Sequence, residues 1–202
     1  MVYSFSAHDT HMFNSDVYKN APQANKDQLD RMAAEWHVKT AGMVREDFEG
    51  RNIVFCYRMS DAWGRQVCRT EISRASGNNA VCERRGEDGQ ILFTVGADHI
   101  SELTKIAAAY AGRFKAPGYA VEYPDYFDGW MHCIYITDGT DSFYFDCSNL
   151  QGMAGKRKND YPCAAVLIAM LREVFDVLAG AGIERRYYSW WGYDPKVGTY
   201  IG

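Results

Sequence analysis

The sequence predicts an α+β fold, an antiparallel sheet drawn from two strand-rich segments and packed by about three helices in a single domain. Three observations predict it. Apolar residues recur at helical spacing in three separate stretches, period-two alternation fills the stretches between them, and turn dipeptides such as Asp88-Gly89 and Asp138-Gly139 punctuate the alternating parts.

Residues 1–22 are polar, end at Ala21-Pro22 and read as an arm. From about Asn25 to Phe48, Leu29, Met32, Ala33, Trp36, Thr40 and Met43 form one apolar stripe, and Gly50 marks the end of that helix. The period then changes to two. Ile53 to Met59, Gln66 to Ser73, Ala80 to Arg84 and Gln90 to Val95 read as a meander of antiparallel strands. A second helix starts at Asp98, a good N-cap, and runs to Gly112. Strand signals return at Tyr119 to Tyr123, Trp130 to Thr137 and Ser142 to Cys147. The third helix, Pro162 to Ala181, is apolar nearly all round in its first half and belongs inside the fold. The tail, residues 183–202, is rich in aromatics and offers one last strand.

Composition narrows the function classes. With 202 residues, 47% hydrophobic and 24% charged, the chain has the make-up of an ordinary globular protein. Its net charge of −4 supplies no field that would draw it onto nucleic acid or anionic lipid. The start carries His8, Asp9 and His11 where a secretory signal needs an apolar stretch, and the longest apolar run, Cys163 to Leu171, falls well short of the ~18 residues of a membrane span. Six scattered cysteines read as free thiols in a reducing cytoplasm. There is no P-loop, no Gly-x-Gly-x-x-Gly, no Gly-x-Ser-x-Gly and no His-Glu-x-x-His, and no cofactor is implied.

One set of residues points to nucleophilic chemistry: Cys163, His132 and Asp146. Cys163 follows Pro162 in the first turn of a helix, where exposed N–H groups favour a thiolate. A hairpin centred on Thr140 pairs Ile134 with Asp146 and His132 with Ser148, which makes His132 and Asp146 diagonal neighbours on one face. The other face then holds Met131, Cys133, Tyr135, Phe143, Phe145 and Cys147 as core. The order of histidine strand, carboxylate strand and cysteine-led helix resembles the protease clan of SUMO-deconjugating enzymes, adenovirus-type proteases and bacterial effector acetyltransferases. That resemblance implies a Cys-His-Asp hydrolase or acyltransferase. The motif departs from the clan at Pro162, at Ala164 and at Lys156-Arg157-Lys158, where an aspartate, a glycine and the oxyanion-hole glutamine are usual.

Three further sets stand beside it. His8 and His11 with Asp9 or Asp16 have a metal-ligand spacing but no helical pattern or cysteine pair to support it, so no metal site is assigned. Cys133 and Cys147, opposite each other in that register, could meet Cys56 and Cys68, although all four sit in core-patterned strands. In the tail, Arg185, Arg186, Tyr188, Trp190 and Trp191 interleave cations with rings, as interface anchors do. The leading expectation is therefore a small intracellular interaction or regulatory protein without catalysis. Its partner is another protein or a second copy, not nucleic acid or a membrane; the alternative is a thiol-dependent enzyme using Cys163.

Overall fold

The computed structural model describes residues 1–6, 20–75, 77–119, 130–148, 150 and 162–188, and the backbone of 193–194 and 199–200. The first strand, β1 (Val2–Ser6), lies inside the stretch expected to be a polar arm. It adds to the sheet in parallel with a late strand, Val2 facing Ser142 and Ser6 facing Asp146. Tyr3 and Phe5 alternate with Ser4 and Ser6, a half-buried edge pattern too short to stand out in the sequence. Tyr3 stacks on Phe143, and Phe5 on Phe145.

Helix α1 (Gln23–Met43) follows, and its chain continues directly into a π-helical segment, Val44–Glu49. The predicted stripe is present in part. Ala33 and Thr40 are buried, whereas Met32 is 53% exposed. Gly50 closes the π segment, its N–H donating to the Arg45 carbonyl at 2.8 Å. A Cβ at this position would lie 3.0 Å from the Glu46 carbonyl oxygen, so the close approach accounts for the glycine.

The meander forms as expected: β2 (Ile53–Ser60), β3 (Gln66–Ser73), β4 (Asn79–Arg84) and β5 (Ile91–Thr94) pair in succession, all antiparallel. Helix α2 (Ala97–Phe114) is capped by the backbone at Gly96 and not by Asp98, which lies in its first turn. Strands β6 (Met131–Thr137) and β7 (Ser142–Ser148) make the second hairpin, and helix α3 spans Pro162–Gly180. The strand expected at Tyr119 to Tyr123 falls outside the described residues beyond Tyr119.

The two strand-rich segments join into one sheet because β6 pairs with β2. Strand order is β1-β7-β6-β2-β3-β4-β5, so the sheet is mixed: five antiparallel pairs and the single parallel pair β1–β7. Helices α2 and α3 cover one face. There Tyr57, Ile72, Ile134, Phe143 and Phe145 meet Leu103, Phe114, Leu167, Leu171 and Phe175 in a continuous core. On the opposite face, α1 and the π segment cover a smaller apolar patch, Val44, Ile53, Cys56, Tyr135 and Tyr144, with Phe48 stacked on Tyr135 at 4.5 Å. The rest of that face carries charged and polar side chains.

The tail turns inward. A 3-10 turn, Arg185–Tyr187, leads to Tyr187 and Tyr188, both buried. Thr70 donates to the Tyr187 carbonyl at 2.9 Å, which ties the turn to β3. Strands β8 (Tyr193–Asp194) and β9 (Thr199–Tyr200) pair with each other, not with the main sheet. Among the described residues, no helix is long and apolar enough to cross a membrane.

Candidate functional site

The three residues of the thiol hypothesis do not assemble as the hairpin register suggested. The loop between β6 and β7 contains Asp138, Gly139, Thr140 and Asp141, so Thr137 is the last residue paired, with Ser142. Asp138 Oδ1 organises that loop by accepting the N–H of Thr140 at 2.8 Å and of Asp141 at 2.7 Å, and Gly139 supplies the positive φ of 93°. The hairpin is thus centred between Gly139 and Thr140 and not on Thr140, which shifts the register by one. His132 therefore faces Cys147, and Asp146 faces Cys133. Because side chains alternate, His132 and Asp146 lie on opposite faces of the sheet.

His132 lies in the helix-covered core at 0% exposure, where Nδ1 is 2.9 Å from the Tyr57 hydroxyl. Tyr57 is in turn held edge-on by Phe175 of α3. Cys163 opens α3 half-buried, and its carbonyl accepts the Tyr119 hydroxyl at 3.2 Å. The proposed four-cysteine group separates in the same way. Cys133 and Cys56 face the open side, while Cys68 and Cys147 belong to the helix-covered core. Among the described residues, no group of three or more His, Cys, Asp or Glu is placed to hold a metal ion. His8, Asp9, His11 and Asp16 lie outside the described residues.

The tail residues are divided. Tyr188 is 3% exposed and packs on Phe175, so it is core and no surface anchor. Arg186 forms ion pairs with Glu87 at 2.8 Å and Glu184 at 2.9 Å and lies over the Tyr187 ring. Arg185 is exposed. Trp190 and Trp191 lie outside the described residues.

A cleft that the sequence did not single out lies on the open face of the sheet. It has a volume of about 220 Å³, with β2, β3, β6 and β7 as its floor and Met43, Asp47 and Phe48 as a wall. Register explains its composition. Across β7, β6, β2, β3 and β4 runs the row Asp146, Cys133, Arg58, Arg69 and Glu83, each directly opposite the next. The adjacent row is Tyr144, Tyr135, Cys56 and Glu71. A shallower extension reaches Met131 and Asp146 past Arg58, Gln66 and Cys133.

Charge in the cleft is organised around Glu71, which is 3% exposed. One of its oxygens meets Arg51 and the other Arg69, while Arg69 also reaches Glu83 at 3.8 Å. Burial opposes the charge on Arg69, but Glu71 outweighs it and raises the guanidinium pKa. Arg58 differs: Nη2 donates to Cys133 Sγ at 3.2 Å, and among the described residues no carboxylate lies within ion-pairing distance of it. Burial pushes the Cys56 thiol up to about 12, with Glu71 adding to the effect. Burial also raises the Cys133 thiol, helped by Asp146, and the Tyr144 hydroxyl, helped by Cys133. At neutral pH these three groups are therefore uncharged hydrogen-bonding groups, and the thiols are not nucleophiles.

The chain was compared with known protein families, with curated proteins and with solved structures. It matches none of them. The site has to be judged on its own geometry. The signal for it was present in the sequence: Arg58, Arg69 and Glu71 alternate with apolar residues in strands that become central, which marks a polar sheet face. The depth of the cleft was not legible, because it depends on where Phe48 is set by the π segment.

Proposed function

We propose that this protein is a small non-catalytic binding and regulatory protein, and that the cleft on the open sheet face is its working surface. The observation that carries this reading is the meeting of three arginines and three aromatic rings in one concave site walled by a π-helical segment. π-Helical turns are rare and cluster at functional sites. The state of the thiols supports binding over catalysis, since Cys56 and Cys133 are held as neutral thiols. The distribution of His132 and Asp146 on opposite faces removes the acid that would orient the imidazole in a Cys163 enzyme. Six free cysteines suit a reducing compartment. A partner held by the tail would have to use Arg185, Arg186 or residues beyond Tyr188, because Tyr187 and Tyr188 are buried.

The test is a thermal-shift screen of small molecules against the protein, repeated with Gln66→Trp, whose indole would block the mouth of the cleft. Compounds that raise the melting temperature should lose their effect in the variant. Hits that persist unchanged would place binding elsewhere. In parallel, iodoacetamide at neutral pH should label neither Cys163 nor Cys133 faster than a free thiol. Rapid, selective labelling of Cys163 would revive the enzyme alternative.

A further inference from the structure

We propose that the cleft holds a small monoanionic carboxylate, its two oxygens on the guanidinium of Arg58 and its apolar body along Met43 and Phe48. This rests on the reading of the cleft as the working surface and names what occupies it.

The case begins with the placement of Arg58. It stands directly opposite Arg69 on β3, and like charges facing each other across two strands repel. Arg69 is neutralised by Glu71 and Glu83, and Arg51 by Glu71. On its other side Arg58 faces Cys133, a neutral thiol that takes one of its five N–H donors. A planar fork of donors is thus directed into a cleft with its charge unmatched by any described carboxylate. Asp146 lies beyond Cys133, its Oδ1 3.9 Å from Cys133 Sγ, so the thiol separates it from the guanidinium.

Charge and size then select the ligand. Arg51 and Arg69 are paired with Glu71 and Glu83, which leaves Arg58 as the one lining arginine that no described carboxylate pairs. That balance matches one carboxylate and disfavours a phosphate dianion. A carboxylate also fits the guanidinium fork with two parallel charge-assisted hydrogen bonds. The volume of about 220 Å³ is below the ~300 Å³ lower bound for sites of drug-sized ligands, so the ligand is small. Met43 and Phe48, both half-buried on the cleft wall, supply the apolar surface against which a flat or branched body packs, while Tyr135 and Tyr144 are buried beneath them.

The experiment uses the full chain and benzoate as probe, followed by ¹H–¹⁵N chemical shifts and titration calorimetry. Benzoate should bind saturably, with shifts on the backbone of β2, β6 and the π segment. Benzamide, equal in shape but neutral, should bind at least about tenfold more weakly, and inorganic phosphate should not compete. Arg58→Met should weaken benzoate at least about tenfold while leaving the melting temperature equal or higher, because it relieves repulsion with Arg69. If Arg58→Met fails to fold, Arg58→Gln carries the same expectation.

Equal affinity of benzoate for the variant, or equal binding of benzamide and benzoate, overturns the proposal. So does the absence of saturable benzoate binding. The two readings fail separately. Neutral or cationic compounds that bind in the cleft while benzoate does not would leave the working surface standing and remove the carboxylate. If no compound of any charge binds there, both fall.

Discussion

At the scale of single residues, the contrast between His132 and Arg58 shows how burial decides whether a polar side chain serves the fold or a ligand. His132 has no exposure, and its Nδ1 hydrogen-bonds with the Tyr57 hydroxyl in the helix-covered core. Within a low-dielectric interior such a bond is costly to break on one side only, because the remaining group keeps its desolvation penalty. Tyr57→Phe should therefore destabilise the protein by about 1–3 kcal/mol, measured by urea unfolding. A change below about 0.5 kcal/mol would mean that the bond is not formed in solution. Arg58 is the opposite case: it is exposed to solvent at the head of a cleft, it donates to the Cys133 thiol, no described carboxylate pairs with it, and its substitution is expected to leave stability intact.

At the scale of elements, two helical segments have different roles. Helix α3 is part of the core. Ala164, Leu167, Met170, Leu171, Val174 and Leu178 are all fully buried, and Phe175 bridges it to Tyr57 and Tyr188. Leu167→Asp would place an unpaired carboxylate among these side chains, a cost of several kcal/mol against a typical stability of about 5–15 kcal/mol. The variant should be insoluble or unfolded by circular dichroism, and a soluble variant with a near-normal melting temperature would show that α3 is peripheral. The π segment has a smaller mechanical load. Its Val44 is buried, but Asp47 and Glu49 are exposed, and its main consequence is to set Phe48 flat on Tyr135 with an interplanar angle of 11°. The wide π turn moves Phe48 to the cleft side, and the close approach of Gly50 to the Glu46 carbonyl closes it.

At the scale of the whole molecule, the buried thiols link stability to pH. Burial pushes Cys68 up to about 12, and Cys56 likewise to about 12, from an ordinary value of 9.0. Both pKa values are raised in the folded state, so below pH 9 the two states bind the same number of thiol protons and stability is fully present. Between pH 9 and about 12 the unfolded chain loses protons that the folded protein keeps, and stability falls as pH rises. Each thiol contributes a slope of about 1.4 kcal/mol per pH unit at most. Urea unfolding at pH 8 and pH 10 should show a loss of about 2 kcal/mol or more, and Cys68→Val should make that loss smaller. Equal stability at both pH values would mean that the thiols ionise freely in the folded state.

Some of this protein was determined by its sequence alone. The period of the apolar residues was sufficient for helices α1, α2 and α3, because a one-sided or all-round apolar helix can be buried in few ways. Alternation and turn dipeptides were sufficient for the β2–β5 meander and for the existence of the β6–β7 hairpin. Tertiary structure decided the rest. The pairing of β6 with β2, which merges the two strand-rich segments, and the parallel addition of β1 are contacts between distant residues that no local pattern encodes. The register of β6 on β7 depended on whether the hairpin is centred on Thr140 or between Gly139 and Thr140, and the second choice put His132 in the core and Asp146 on the open face. Arg58, Arg69 and Glu71 were visible as charges in apolar strands. Only the lateral register of the sheet and the π turn that positions Phe48 made them the lining of one cleft, because side chains from separate strands become neighbours through backbone pairing and not through sequence spacing.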